Sequence, residues 1–155
     1  MTTSTTQGFL ALCRGRALDY VPPTTTTLRT LLGGGASARL YTEQAPDIVT
    51  YPYAVLSWKS VNQTEGYQGW RMYGELEFQV WDRPRGQEWR AQGIADVIQQ
   101  AFLGWSDRAS GLSFGRHSRR QRVPLAAEPS DRELVRILVF VPVAAWPVLL
   151  SPLTV

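Results

Sequence analysis

Glu75 and Glu77 are the two residues whose type and spacing best fit general acid–base catalysis. In a β-strand, residues two apart point to the same face and lie roughly 6–7 Å apart, a separation that the carboxylate pair of a glycoside hydrolase can use. The same glutamates alternate with Leu76 and Phe78, as solvated carboxylates of a surface strand do. No other acidic residue is tied to them by spacing, so we predict a solvent-facing strand rather than a catalytic pair.

Nucleophilic and metal chemistry are limited by the single cysteine, Cys13, and the single histidine, His117. Together they are too few for a disulfide or for a Cys/His metal cage. His117 is predicted to be a neutral, exposed loop residue among arginines, and Cys13 a small apolar residue of a helix. The run Gly33 to Gly35 lacks the Gly-Lys-Ser/Thr ending and the following helix of a phosphate-binding loop. We therefore expect no catalytic residue, no metal and no cofactor.

The positive charge of the chain is concentrated in one stretch. Between Arg108 and Arg122 there are five arginines and no acidic residue, in a chain whose net charge is +3. Arg116, Arg119, Arg120 and Arg122 could neutralise the phosphates of a nucleic acid or pair with acids of a neighbouring protein subunit. A solvated surface loop is the third interpretation. The residues from 116 to 122 include no aromatic side chain that could stack on bases, which favours the protein partner over the nucleic acid.

The C-terminal segment 146–155 is apolar and contains two prolines, Pro147 and Pro152. A free segment of this kind would be an exposed hydrophobic patch. It either packs over the core of its own chain or covers an adjacent subunit. Six tryptophans in the chain favour the second alternative, because tryptophan is enriched at interface centres. Besides the four arginines, the predicted interface residues are Trp70, Trp146, Val148, Leu149 and Leu150.

The length of 155 residues, with 44% hydrophobic and 19% charged residues, is typical of one globular domain. Apolar residues at helical spacing predict a helix within residues 1–21, which Pro22 must end, and another at 87–103. Residues 1–21 are thus predicted to be a helical N-terminal extension, and residues 22–155 a single domain with an apolar C-terminal tail. The longest apolar run, 138–150, is shorter than the roughly 20 residues of a membrane span, so no membrane is expected.

The remaining elements are strands. Alternating apolar and polar residues predict a strand at 71–82, and a β-branched and aromatic run predicts another at 53–59. The polar, glycine-containing stretch 62–69 predicts a hairpin loop, and 112–125 an extended strand or arm. Residues 133–145 are apolar on both faces, as is typical of a central strand. Together these elements predict an α+β fold, a mainly antiparallel β-sheet with helices packed on one face.

The order of these elements and their motifs resembles a known family. A short helix precedes the Ala-Arg-Leu-Tyr strand that ends at Tyr41, and a loop with Pro46 follows. Then come the strand Tyr-Pro-Tyr-Ala-Val-Leu from Tyr51, a long loop, a strand ending in Val-Trp-Asp at Asp82, and the helix 87–103. Over residues 28–105 this layout resembles the tail terminator, or tail completion, family of long-tailed bacteriophages and gene transfer agents.

The resemblance implies a protein without catalytic residues or cofactor that forms a hexameric ring on the end of the tail tube. Such a ring stops tube polymerisation and joins the tail to the head. The implied partners are further copies of the chain, the tail tube protein and the head–tail connector protein. DNA would pass through the ring lumen without sequence-specific contact. The implied location is the head-proximal end of the virion tail, and the host cytoplasm during assembly.

Two alternative functions stay open. One is a head–tail connector adaptor or a tail-tube subunit, which belongs to the same assembly but occupies another place in it. The other is a nucleic-acid-binding module that uses the arginine stretch, whose binding would weaken steeply with salt.

Overall fold

The computed structural model describes residues 2–34, 37–66, 69–83, 88–107, 112–114, 118–123 and 134–145. The helices are α1 (Thr2–Asp19), α2 (Leu28–Leu31) and α3 (Trp89–Phe102). The strands are β1 (Leu40–Thr42), β2 (Tyr53–Gly66), β3 (Gly69–Asp82), β4 (Ser106–Asp107), β5 (Leu112–Phe114), β6 (Arg119–Val123) and β7 (Val135–Ala145).

The seven strands form one sheet in the order β1-β2-β3-β7-β5-β4, with β6 also beside β7. Among the strands that the structure describes, only β1 and β2 run parallel, and the other pairs are antiparallel. The short strands β5 and β6 share one edge of β7, where β5 pairs with residues 143–145 and β6 with residues 136–140. This arrangement confirms the predicted α+β fold with a mainly antiparallel sheet.

One core lies between the helices and one face of the sheet. The alternation predicted for β3 is confirmed by the burial of Leu76, Phe78 and Val80, which pack in the same cluster as the buried side of α3. Helix α1 ends just before the two prolines and contributes its own buried side chains to this cluster. Burial of each Val, Leu, Ile or Phe side chain of this cluster stabilises the fold by about 1.5–3 kcal/mol. The core residues of α1 are Leu10, Cys13, Ala17 and Leu18.

The hairpin loop predicted at 62–69 is wrong. Strand β2 continues to Gly66 and β3 begins at Gly69, with cross-strand pairs from Asn62 opposite Tyr73 to Gly66 opposite Gly69. The polar side chains predicted a loop, but an antiparallel hairpin is held by backbone N–H and C=O groups, which nearly every residue type carries. Polar side chains therefore do not end these two strands.

The stretch predicted as one extended strand or arm, 112–125, contains the separate strands β5 and β6. Strand β7 occupies the predicted central position, between β3 and the β5/β6 edge. The very short strand β4 is an addition to the predicted element order, because two residues carry too little alternation to indicate a strand.

Candidate interaction surface on the open sheet face

The sheet face opposite the helices is formed by alternate residues of four strands, and we call it the open face. Cross-strand pairs on it include Glu77 beside Phe140 and Gln79 beside Leu138. Leu138 and Phe140 are buried, yet they do not belong to the core cluster that the helices cover. The open face includes Tyr53, Lys59, Glu75, Glu77, Trp81, Arg119, Arg136, Leu138 and Phe140.

The surroundings of Phe140 show how other side chains cover the apolar residues of β7 on the open face. Its side chain is only 2% exposed, and its ring lies between two cations. The Arg119 guanidinium carbon is 4.0 Å from the ring centroid, and the Lys59 ammonium nitrogen is 5.3 Å from it. Arg119 also pairs with Glu75 at 3.1 Å and Lys59 with Glu77 at 3.9 Å. The long stems of the cations therefore cover the apolar strand while their charged ends meet acids at the surface.

The other two arginines of β6 point to the helix side of the sheet. Arg120 donates hydrogen bonds to Gln92 at 2.7 Å and to Gln99 at 3.0 and 2.6 Å, and it forms an ion pair with Asp96. Arg122 forms an ion pair with Glu88, the residue before α3. The planar guanidinium suits such multiple contacts better than an ammonium group does. These contacts fasten β6 to α3, and every arginine of β6 has an acid of the same chain as a partner.

The predicted interface residues are only partly placed together. Arg119, Arg120 and Arg122 lie on β6, at an edge of the sheet among the described strands. Trp70 lies near the start of β3, opposite Glu65. It is therefore distant from β6, which lies near the other end of β3. The predicted residues Arg116, Trp146, Val148, Leu149 and Leu150 lie outside the described residues.

An aromatic cluster at one end of the open face was missed by the sequence analysis. Its rings belong to Tyr41, Tyr51, Tyr53 and Trp81. The ring of Tyr53 is stacked on Trp81, with centroids 6.2 Å apart, and it contacts Tyr51 at 5.4 Å and Tyr41 at 6.2 Å. Burial, reinforced by the neighbouring tyrosines, raises the pKa of Tyr53 above its ordinary value.

Two arginines cover the outer rings of this aromatic cluster. The guanidinium carbon of Arg83 lies 5.0 Å from the Tyr51 ring centroid, and that of Arg136 lies 5.1 Å from the Trp81 ring centroid. Tyrosine, tryptophan and arginine are the residues most enriched at the energetic centres of protein interfaces. The only sequence signal was the Tyr-Pro-Tyr motif at 51–53, because the four rings come from three separate segments.

An ion pair between the buried Asp82 and the partly exposed Arg90 fixes the corner where β3 turns toward α3. The carboxylate of Asp82 is fully buried and accepts hydrogen bonds from Arg90 Nε at 2.6 Å and Arg90 Nη2 at 2.5 Å. It also accepts one from the backbone N–H of Arg83 at 2.7 Å. The bond to Asp82 raises the pKa of Arg90 above its ordinary value. This bidentate contact ties the last residue of β3 to the first turn of α3.

The two glutamates that suggested acid–base chemistry have structural partners. Glu75 accepts hydrogen bonds from Arg119, and Glu77 lies near Lys59 and Gln79. The prediction that both carboxylates face solvent is wrong for Glu77, which is only 7% exposed because neighbouring long side chains cover it.

The cysteine lies where the sequence placed it. Cys13 is buried in α1, and desolvation raises the pKa of its thiol to about 12.

Within the described ranges, no group of three or more His, Cys, Asp and Glu side chains is arranged to hold a metal ion. None of the described helices is long and apolar enough to cross a membrane.

Comparisons with known proteins find a structural likeness without a sequence relative. Neither protein-family models nor curated proteins match the chain. Among solved structures, the fold is similar to a chain in the virion of a native gene transfer agent particle, with a TM-score of 0.57 and 17% identity. The likeness covers 88% of this chain and 96% of that chain. The two chains therefore share one fold over nearly their whole length.

Proposed function

We propose that this protein is a structural subunit of a virion of the phage or gene transfer agent kind, and that it caps the tail tube as a ring. The observation that carries the proposal is the shared fold with a chain of a gene transfer agent virion, which extends over 96% of that chain. The order of elements in the sequence independently resembles the tail terminator family. In the proposed role the chain stops tube polymerisation and joins the tail to the head connector, without catalysis or cofactor.

The proposed partners are further copies of the chain in a hexameric ring, the tail tube protein and the head–tail connector protein. The open face and the β6 edge offer two adjacent surfaces for such contacts. Arg119 and Arg122 remain exposed although each has an acid partner. Exposed ion pairs contribute only about 0–1 kcal/mol, so an acid of a neighbouring subunit can replace the partner within the chain. Arg116, Trp70 and the segment 146–155 are further proposed contacts.

The other proposals follow from the assembled ring. DNA passes through its lumen without sequence-specific contact, and the ring lies at the head-proximal end of the tail after assembly in the host cytoplasm. The placement of the β6 arginines favours this role over a nucleic-acid-binding module, because Arg119 lies on the open face whereas Arg120 and Arg122 lie on the helix side, so the three charges do not share one surface that a phosphate backbone could follow.

The test is negative-stain electron microscopy combined with mass measurement in solution. The purified chain is observed alone, and mixed with tail tubes from lysates that lack it. We expect closed rings, or density on one end of each tube, and the ring mass gives the number of subunits. Self-assembled long tubes would move the assignment to a tail-tube subunit. A monomer that leaves the tubes unchanged would contradict the proposal and return the adaptor and nucleic-acid alternatives.

A further inference from the structure

Two strongly exposed apolar side chains lie where α1 and α3 end. Val21 follows α1 and is 62% exposed, and Leu103 follows α3 and is 64% exposed. Arg16 holds the helix ends together, because its Nε donates a hydrogen bond to the Ala101 carbonyl oxygen at 2.8 Å. The rings of Tyr20 and Trp105 each lie 5.1 Å from its guanidinium carbon. We call Tyr20, Val21, Leu103 and Trp105 the helix-end patch.

The last strand of the sheet ends beside this patch. Strand β4 begins directly after Trp105. Its Asp107 is the cross-strand partner of Leu112 on β5, and Leu112 is in turn the partner of Ala145 on β7. Two strand spacings separate Asp107 from Ala145, roughly 10 Å. Ten residues, 146–155, follow Ala145 in the sequence. A chain of that length spans at most about 33–36 Å, so it can reverse direction and reach the patch.

The composition of the segment 146–155 matches the patch better than it matches the open face. It contains no charged residue, and all but Ser151 and Thr154 are apolar or proline. On the open face it would have to bury the charged ends of Lys59 and Arg119, which costs free energy. On the helix-end patch it covers exposed apolar side chains and removes its own apolar surface from water. Its prolines disfavour a further strand, so contact is made through side chains.

We propose that the segment 146–155 docks on the helix-end patch of its own chain. A tether of this length gives the segment an effective concentration of about 1 mM at the patch, far above the micromolar concentration at which a second copy competes. The proposal concerns the free chain and does not depend on ring formation. Docking leaves the outward side of the segment at the surface, where it stays available to the proposed neighbours.

Disulfide trapping in the full-length chain tests the proposal. Leu103→Cys is combined with Leu149→Cys, and cross-linking is followed in a glutathione buffer by non-reducing electrophoresis and intact mass. The native thiol does not compete, because Cys13 is buried and its pKa is raised to about 12. The matched control is Ile48→Cys with Leu149→Cys, because Ile48 is 92% exposed and follows β1 at the opposite edge of the sheet.

We expect a monomeric, intrachain disulfide that forms at least about tenfold faster at position 103 than at position 48, since docking adds to the effect of the tether. Val21→Asp in the Leu103→Cys, Leu149→Cys background should slow the reaction about tenfold, because a carboxylate in the patch opposes apolar docking. Equal rates at positions 103 and 48 would overturn the docking. A mixture of the two single-cysteine variants that forms dimers faster than the double variant closes on itself would identify a second copy as the occupant.

Discussion

The Asp82 carboxylate is a fully buried charge whose partners all lie at one corner of the fold. Arg90 and the backbone N–H of Arg83 satisfy it. When one member of a buried ion pair is removed, the other is left without a partner in a place that water does not reach, which costs free energy. The residue therefore determines whether the end of β3 stays attached to α3.

Asp82→Asn is expected to lower the free energy of unfolding by about 1.5–3 kcal/mol, because its charge-assisted hydrogen bonds to Arg90 are lost while the Arg90 guanidinium, whose side chain is 41% exposed, stays partly solvated. Chemical denaturation followed by circular dichroism measures this change. The control is Asp19→Asn, which breaks the exposed pair with Arg29 and should cost at most about 1 kcal/mol. Similar small effects of the two substitutions would contradict the structural role of Asp82.

Cys13 gives a pH dependence whose sign follows from burial. The folded thiol holds its proton until about pH 12, whereas the unfolded thiol releases it near 9.0. Ionisation in the unfolded chain therefore makes the fold less stable as the pH rises above 9. Between pH 8 and pH 10.5 the loss from this residue should be up to about 2 kcal/mol, and Cys13→Ala should remove that part. The measurement is the free energy of unfolding of both proteins at both pH values, and parallel losses would contradict the prediction.

Among the elements, β6 shows how an edge strand is kept in place and kept from pairing with other chains. Three of its five residues are arginines, and charged side chains on an edge discourage unwanted strand addition. The same arginines hold the strand, since Arg120 bonds Gln92 and Gln99 of α3 and pairs with Asp96. The arginine stretch thus has a structural role within the chain that its composition alone did not indicate.

Arg120→Ala is expected to lower the free energy of unfolding by about 1–3 kcal/mol, because bonds from a charged donor to three side chains of α3 are lost together. Backbone amides of β6 should then exchange with solvent faster than those of β3. Hydrogen exchange by mass spectrometry measures both. Gln121→Ala, an exposed neighbour on the same strand, is the control and should leave the exchange unchanged. Unchanged exchange in Arg120→Ala would show that backbone pairing with β7 is sufficient to hold β6.

The elements differ in how far the sequence predicted them. Helix α3 and strand β3 were predicted closely, because each has a long stretch in which apolar residues recur with a single period. The part of β2 beyond Lys59 and the first two residues of β3 were missed, since their pairing depends on backbone groups rather than on an apolar pattern. Short strands such as β4 were missed because they form through pairing with a neighbouring strand and not through a local sequence preference.

At the scale of the whole molecule, the proposed ring requires surfaces that meet other subunits without unfolding the chain. Arg122 offers a way to separate its contribution to the stability of the chain from its proposed contact with another subunit, because its only acid partner among the described residues is Glu88. Exchanging the two side chains keeps an ion pair within the chain but reverses the charge that each position presents to a neighbour.

Arg122→Glu alone should reduce ring formation and tube capping, and adding Glu88→Arg should restore stability without restoring capping. The stability is measured by thermal unfolding and the capping by electron microscopy with tail tubes. Arg29→Glu, which reverses a partly exposed, paired arginine elsewhere in the chain, is the control and should cap normally. Full capping by the exchanged pair would contradict a contact between Arg122 and another subunit.

The α+β class, the long helices, the alternating strand β3 and the central strand β7 could all be predicted from the amino-acid sequence. These properties follow from the period at which apolar residues recur, which is local information. The tertiary structure decided which side chains meet. Arg119 meets Glu75 from 44 positions away, and Arg16 meets Ala101 from 85 positions away. Such contacts depend on strand order and register, which local periodicity does not encode, so the aromatic cluster, the arginine pairs and the helix-end patch emerge only in the folded chain.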